Sequence, residues 1–206
     1  MAADVPTLKP AMSPKEIACL QKYLAGAASY VEFGCGGSTL LAVRSPAKRV
    51  WSVESDPAWM ALIRRHPEIT AAEQAGRLTL WHGDIGPTKA YGYPATPWWR
   101  LRRPGHRNKW PNYYETIWTQ AGTAEADLFL IDGRFRVASG LAVAANCRDE
   151  AVVLVHDFRS RPDYNALLEV YEKIDRVRSL IVLKRKPGVS ADRIAGLLED
   201  FRNKRD

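Results

Sequence analysis

The stretch Tyr30-Val31-Glu32-Phe33-Gly34-Cys35-Gly36-Gly37-Ser38-Thr39 joins an acidic strand end to a glycine-rich turn and a helix start. Glycines at 34 and 36 let the backbone turn sharply and approach a ligand where a Cβ would collide. Ser38 and Thr39 open a helix whose free N–H groups face the same spot. Such a loop calls for a nucleotide cofactor at its mouth, and two classes compete for it. The dinucleotide fingerprint G-x-G-x-x-G needs glycine or alanine at 39, where this chain has Thr39. S-adenosylmethionine (SAM) has no phosphate but carries a cationic sulfonium and a zwitterionic tail, which Glu32 beside the loop suits. A tight strand-to-helix turn with no ligand is the plain alternative.

The elements on either side extend the pattern. Ser13-Pro14-Lys15-Glu16 reads as a capping box with proline at the first helical position, and Ile17, Leu20 and Leu24 predict a helix to about Gly26. Ala28 to Phe33 predicts the first buried strand, and Leu40, Leu41 and Val43 the helix after the loop. Arg49 to Glu54 predicts a second strand ending in an acid, with Asp56-Pro57 opening a helix that carries Trp59, Leu62 and Ile63. Glu54 lies about twenty residues beyond the first loop glycine, the spacing at which a carboxylate at a neighbouring strand tip accepts ribose hydroxyls. A surface or helix-capping acid is the bland reading. Arg77 to His82 predicts a third strand, and Asp84 and Ile85 just past it are placed to hold the adenine amino group and ring face.

From Gly86 to Tyr114 the periodicity stops. Trp98, Trp99, Trp110, tyrosines and prolines mix there with Arg100, Arg102, Arg103, His106, Arg107 and Lys109. So long an irregular insertion is either functional or disordered, and its large aromatics argue for function. A helix from about Asn112 through Trp118 leads back to the sheet. Asp127 to Asp132-Gly133 is a continuous apolar run, as in a central strand buried on both faces. Val137 to Ala145 predicts a helix, and Ala151 to His156-Asp157 another such strand. A helix from Asp163 to Lys173, short strands at Ile174 to Val177 and Ser179 to Leu183, and an amphipathic helix carrying Ile194, Leu197, Leu198 and Phe201 complete the chain. Glu32, Glu54, Asp132 and Asp157 thus end four strands, an acidic rim on a protein of net charge +7.

At 206 residues, 46% hydrophobic and 26% charged, the chain suits one α/β domain, residues 1–206, with an irregular aromatic and basic insertion at about 86–114. Its positive charge leaves anionic partners open. Three cysteines without C-x-x-C spacing point to a reducing, cytoplasmic setting and away from a zinc site. No apolar run approaches membrane-spanning length, so no membrane partner is expected; a homo-oligomer stays open.

In order and spacing these motifs resemble the class I SAM-dependent methyltransferases, and the resemblance runs from about Tyr30 to Lys184. It rests on Val31 to Gly36 as the cofactor loop, Ser52-Val53-Glu54-Ser55-Asp56 as the ribose motif and Gly83-Asp84-Ile85 as the adenine motif. The Ile131-Asp132-Gly133 and His156-Asp157 strand ends resemble a small-molecule methyltransferase subgroup. The resemblance implies a Rossmann-like sheet, mostly parallel with a terminal antiparallel hairpin and helices on both faces. It implies SAM contacts from Glu32, Gly34, Cys35, Gly36, Ser38, Thr39, Glu54, Ser55, Asp84, Ile85 and Asp132. Asp132, His156 and Asp157 would then line the methyl side, with His156 as the base for a hydroxyl or amine proton or merely a hydrogen-bonding strand-end residue. The subgroup follows Asp-Gly with an acid and a histidine, whereas Arg134, Phe135 and Arg136 stand here.

Related metal-dependent O-methyltransferases hold a divalent ion at these two strand ends, which leaves a metal at Asp132 and Asp157 open. Arg134, Arg136, Trp99 and Arg100 are the expected contacts to a small acceptor, with an anionic one left open. A nucleic-acid methyltransferase or binding module, suggested by the aromatic and basic insertion, and a non-catalytic protein on the same fold are the alternatives.

Overall fold

The computed structural model describes residues 5–95, 107 and 109–204. Its centre is a seven-stranded sheet of β1 (Ser29–Phe33), β2 (Arg49–Glu54), β3 (Leu78–His82), β6 (Leu128–Ile131), β7 (Val152–Val155), β8 (Tyr171–Val177) and β9 (Leu180–Arg185). Strand order is β3-β2-β1-β6-β7-β9-β8. The first five strands of that order run parallel, and β9 is antiparallel to both β7 and β8. This is the expected mostly parallel sheet with a terminal hairpin. Thr88–Lys89 (β4) and Tyr93–Pro94 (β5) form a separate small hairpin within the insertion.

Helices cover both faces. On one side α1 (Pro14–Leu24), α2 (Gly37–Arg44), α3 (Pro57–Ile63) and α4 (Pro67–Gln74) bury Leu20, Leu24, Leu40, Val43, Ile63 and Ile69 with Tyr30, Val50 and Leu128 of the sheet. On the other, α5 (Asn112–Glu115), α6 (Arg136–Asn146), α7 (Leu167–Val170) and α8 (Ala191–Phe201) close over Val31, Phe33, Phe129 and Val153. β1 therefore sends alternate residues into two cores, the period-two rule of a strand buried on both faces. Among the described residues no helix is long and apolar enough to cross a membrane.

Three local expectations change. The helix expected over Asp163 to Lys173 is a 3-10 turn (Pro162–Ala166) followed by one turn of α7, and the chain is already a strand at Tyr171. The fully buried Tyr171 donates its hydroxyl to the Gly140 carbonyl at 2.8 Å, which fixes the strand start. Glu172 and Lys173, good helix formers, are carried instead on an exposed edge strand, where charge discourages further pairing. The helix expected from Asn112 through Trp118 is α-helical only to Glu115 and tightens to a 3-10 turn over Thr116–Thr119. α4, opened by Pro67, was not anticipated.

The parallel strands end level with one another. Beyond their last paired residues the ladders continue through the amides of Gly34, Gly83, Asp132 and His156, which donate to Val53, Glu54, Phe33 and Ile131 carbonyls. One close approach makes this possible: Gly34 has φ +107°, and a Cβ there would lie 2.6 Å from the Gly133 Cα. Gly34→Ala must therefore bear both backbone strain and a backbone clash, whereas Gly76, at φ +66° with open space around it, bears strain alone. Chemical denaturation should show a loss of roughly 1 kcal/mol for Gly76→Ala and at least about 3 kcal/mol for Gly34→Ala. Equal losses would mean that the 34–133 approach is not a constraint.

Candidate functional site

The site lies along the carboxyl ends of β1, β2, β3, β6 and β7, where open α/β sheets hold ligands. The glycine loop is shaped from below. Glu32 is fully buried and accepts hydrogen bonds from Tyr30, Thr39 and Ser52 hydroxyls, the last at 2.6 Å. Thr39 in turn accepts the Gly36 amide at 2.8 Å. Burial drives the Glu32 pKa up, and its hydroxyl partners only partly counter this. Glu32 and Thr39, expected to touch the cofactor, are thus turned inward and fix the loop; Ser38 is buried beside them. β1 alternation explains the direction, since Glu32 shares its face with Tyr30.

Above the loop the Trp59 indole donates to the Cys35 carbonyl at 2.9 Å and lies against Gly36. Trp59, named in the sequence only as one of the residues its helix carries, is 37% exposed. The Cys35 thiol is 3.6 Å from Glu54 Oε2, and burial, with the Glu54 charge, pushes its pKa well up. Glu54 Oε1 accepts the Ser55 and Asp56 amides at 2.7 and 2.9 Å, so Oε2 is the oxygen left facing the loop. The β4–β5 hairpin covers this carboxylate from outside: Ser55 Oγ donates to the Gly92 carbonyl at 3.1 Å, and a Cβ on Gly92 would stand 2.7 Å from that hydroxyl. Asp84 accepts the Gly86 amide and pairs with Lys109 at 2.6 Å, a contact that lowers its pKa. Ile85 next to it is buried.

At the β6 end, Asp132-Gly133-Arg134 leads through Phe135, which adopts the left-handed conformation at φ +51°. A bulky residue rarely does so, and here its buried ring packs against Trp110, Tyr113 and Tyr114. The turn sends its two neighbours in opposite directions. Arg134 lies with its guanidinium over the Tyr93 ring, 4.1 Å from the centroid, at the mouth. Arg136, expected to hold an acidic acceptor, is corrected to an internal role: its side chain is 5% exposed and lies between the Asp132 and Asp157 carboxylates.

Asp132, His156 and Asp157 do come together, as expected. His156 Nδ1 lies 2.9 Å from Asp132 Oδ1 and 3.7 Å from Asp157 Oδ1. Its Nε2 faces Glu16 of α1 at 3.8 Å, a partner no local motif announced. The ring is 7% exposed, closed in by carboxylates at both nitrogens, so it is not open to an acceptor in this arrangement. Glu16 was read as half of a capping box; it takes both the amide and the hydroxyl of Ser13 on one oxygen and those of Ser179 on the other. Tyr113 was also missed. Its buried hydroxyl accepts the Arg134 amide at 3.3 Å and would collide with any Cβ on Gly133. Trp99 and Arg100, expected acceptor contacts, lie outside the described residues.

No protein-family model matches the chain. No curated protein matches it either. Among solved structures, a methyltransferase-like protein from Silicibacter pomeroyi DSS-3 is similar over 96% of this chain and 98% of its own, at 25% identity and a TM-score of 0.79. A methyltransferase from Geobacter sulfurreducens matches 86% of this chain and 82% of its own at 13% identity and a TM-score of 0.55. The O-methyltransferase TomG from Streptomyces achromogenes, solved with SAM, matches 85% and 82% at 16% identity and a TM-score of 0.54.

The carboxylate cage predicts a pH signature. Burial alone would lower the His156 pKa, but the hydrogen bond and charge of Asp132, with Asp157, outweigh burial and the opposing Arg136, leaving it above 6.5. The stabilisation is therefore complete below that value and lost as pH rises through the folded pKa. Burial would raise the Glu16 pKa, yet the four Ser13 and Ser179 hydrogen bonds bring it to about 2, so its contribution is present above 4.5 and lost as pH falls toward 2. The gap in melting temperature between the wild type and His156→Gln should close as pH rises through the window that begins at 6.5. A constant gap across that window would show that the ring is not charged in the fold.

Proposed function

We propose that this chain, which has the class I SAM-dependent methyltransferase fold, binds SAM across the Gly34–Gly36 loop and transfers its methyl group to a small hydroxyl or amine acceptor. One observation carries the reading: the Gly34–Gly133 approach brings the β1 and β6 tips into backbone contact, while Gly36 has the Trp59 ring 3.9 Å from its Cβ position and Glu54 turns Oε2 toward Cys35 at the β2 tip beside it. Gly36 admits the cofactor against backbone, the Gly34 turn being set by its contact with Gly133, and the α2 N-terminal amides face its carboxylate tail. Glu54 Oε2 accepts from the ribose, with Ser55 holding the Gly92 flap over it. Ile85 and Asp84 flank the adenine, and Asp132, fixed by His156 and Arg136, offers its remaining lone pairs to the tail ammonium.

SAM supplies an electrophilic methyl carbon, so no covalent protein intermediate is required. The chain aligns the acceptor with that carbon, excludes water and fixes charge around it. Arg134 is the acceptor contact best placed among the described residues. Its guanidinium, braced on Tyr93 at the mouth, suits an anionic group on the acceptor. His156 contributes by holding Asp132 rather than by meeting the acceptor, and Trp99 and Arg100 remain acceptor contacts proposed from sequence.

The nucleic-acid alternative loses part of its support in the fold. Trp110, Tyr113 and Tyr114, three aromatics of the run that suggested base stacking, are buried among Phe33, Phe135 and Ile117. They are core, not platforms.

Calorimetric titration with SAM should give one site. Glu54→Gln, which keeps the side-chain shape, should weaken it about tenfold. Heat with NAD and none with SAM would overturn the cofactor assignment. In an acceptor screen, Arg134→Ala should raise KM for anionic acceptors with little change in kcat. SAM binding without turnover on any acceptor class would favour a non-catalytic protein. Tight, strongly salt-dependent binding of single-stranded RNA would restore the nucleic-acid alternative.

A further inference from the structure

The carboxylates at the β6 and β7 tips already have a cation between them, and it belongs to the chain. Ligand atoms of Asp132, His156 and Asp157 lie within 4.8 Å of one another, a spacing that would accept a divalent ion. The Arg136 guanidinium fills that role by geometry. Nη1 donates to Asp157 Oδ2 at 3.0 Å and to the His156 carbonyl at 2.8 Å. Nη2 donates to the Asp132 carbonyl at 2.9 Å and lies 3.3 Å from Asp132 Oδ1, while Nε donates to the Gly133 carbonyl at 3.0 Å.

Hard divalent ions need about six oxygen ligands, and the nearby carbonyls that would add to the two carboxylates are turned onto Arg136. His156 Nδ1 is spent on Asp132. An ion bound to both carboxylates would also sit against a guanidinium that cannot lose its proton, where like charges repel. The residues present therefore do not fit a metal while Arg136 is in place.

We propose that Arg136 is a resident substitute for a divalent cation, and that Asp132, His156 and Asp157 form a latent metal site which the arginine keeps closed. The left-handed Phe135 is what aims Arg136 inward, so the device is set by the backbone as well as by charge. Its bearing on the acceptor rests on the methyltransferase reading: an acceptor could not be gripped by chelating two neighbouring oxygens to a metal, and must be held by side chains such as Arg134. The class implied is a single hydroxyl or amine near an anionic group, with no requirement for a vicinal diol.

The test reads metal binding directly. Wild-type protein titrated with Mn2+ should show no site by electron paramagnetic resonance, and Co2+ should give no new visible bands. Arg136→Gln should gain one site for either ion, at least about tenfold tighter than any wild-type binding. Adding Asp157→Asn to that variant should abolish the gain, and Arg136→Lys, which keeps the cation, should not gain it. A wild-type site lost in Asp157→Asn would overturn the proposal, as would a folded Arg136→Gln, checked by circular dichroism, that binds no metal. Should Arg136→Gln fail to fold, thermal shifts decide: wild type and Asp157→Asn both indifferent to Mn2+ support the proposal, and Mn2+ stabilisation of wild type alone sinks it. SAM titration is a separate measurement, so loss of the cofactor assignment and loss of this inference are distinguishable.

Discussion

A carboxylate sealed inside the sheet sets the shape of the glycine loop. An ionised group removed from water is costly unless it is hydrogen-bonded, and Glu32 meets that demand with three hydroxyls from β1, β2 and α2. Because Thr39 also takes the Gly36 amide, the same network determines where the loop backbone runs. Loop, β1, β2 and α2 are therefore one polar unit within an apolar core. Removing a single hydroxyl would leave part of the carboxylate unsatisfied, which costs more than the bond itself contributes. The side chain that looks most like a ligand contact in the sequence is turned into the core, where it fixes the loop backbone.

A second constraint acts at the β6 tip. Gly133 must lack a Cβ, because Tyr113 and Gly34 occupy the space on either side. Phe135 must turn left-handed, because its ring belongs to the aromatic cluster beneath α6 while the chain still has to enter that helix. The strain is offset by burying a large aromatic side chain. Its product is a sorting of charges two residues apart, with Arg134 at the mouth and Arg136 in the wall.

The fold was legible in the sequence to the extent that buried parallel strands must be continuous apolar runs ending in polar tips. Glu54, Asp132 and His156-Asp157 all mark true strand ends, and the Gly34 turn falls where the spacing put it. Side-chain direction was less legible, though not wholly hidden: strand alternation already pairs Glu32 with Tyr30 and turns it from the mouth. Arg136 was beyond reach, since nothing in a local window announces a left-handed phenylalanine. Nor does any window contain the Glu16 contact to Ser179, which joins residues 163 positions apart. The strand starting at Tyr171 defeated propensity for the same reason, because a tertiary hydrogen bond to Gly140 decides it.

The acidic rim read from the sequence is, in three dimensions, almost fully answered from within. Glu32 has its hydroxyls, Glu54 its amides, Asp84 its lysine, and Asp132 and Asp157 share His156 and Arg136. Asp84, Asp132 and Asp157 are matched by cations at close range and contribute little field at a distance, whereas the neutral donors on Glu32 and Glu54 satisfy those carboxylates without cancelling charge. Arg134, held by an aromatic ring instead of a carboxylate, keeps its positive charge on the open side. The sheet edge of this basic protein thus carries carboxylates that are mostly answered at close range, with one arginine beside them that is braced on a ring and two residues away from another that is locked in the wall.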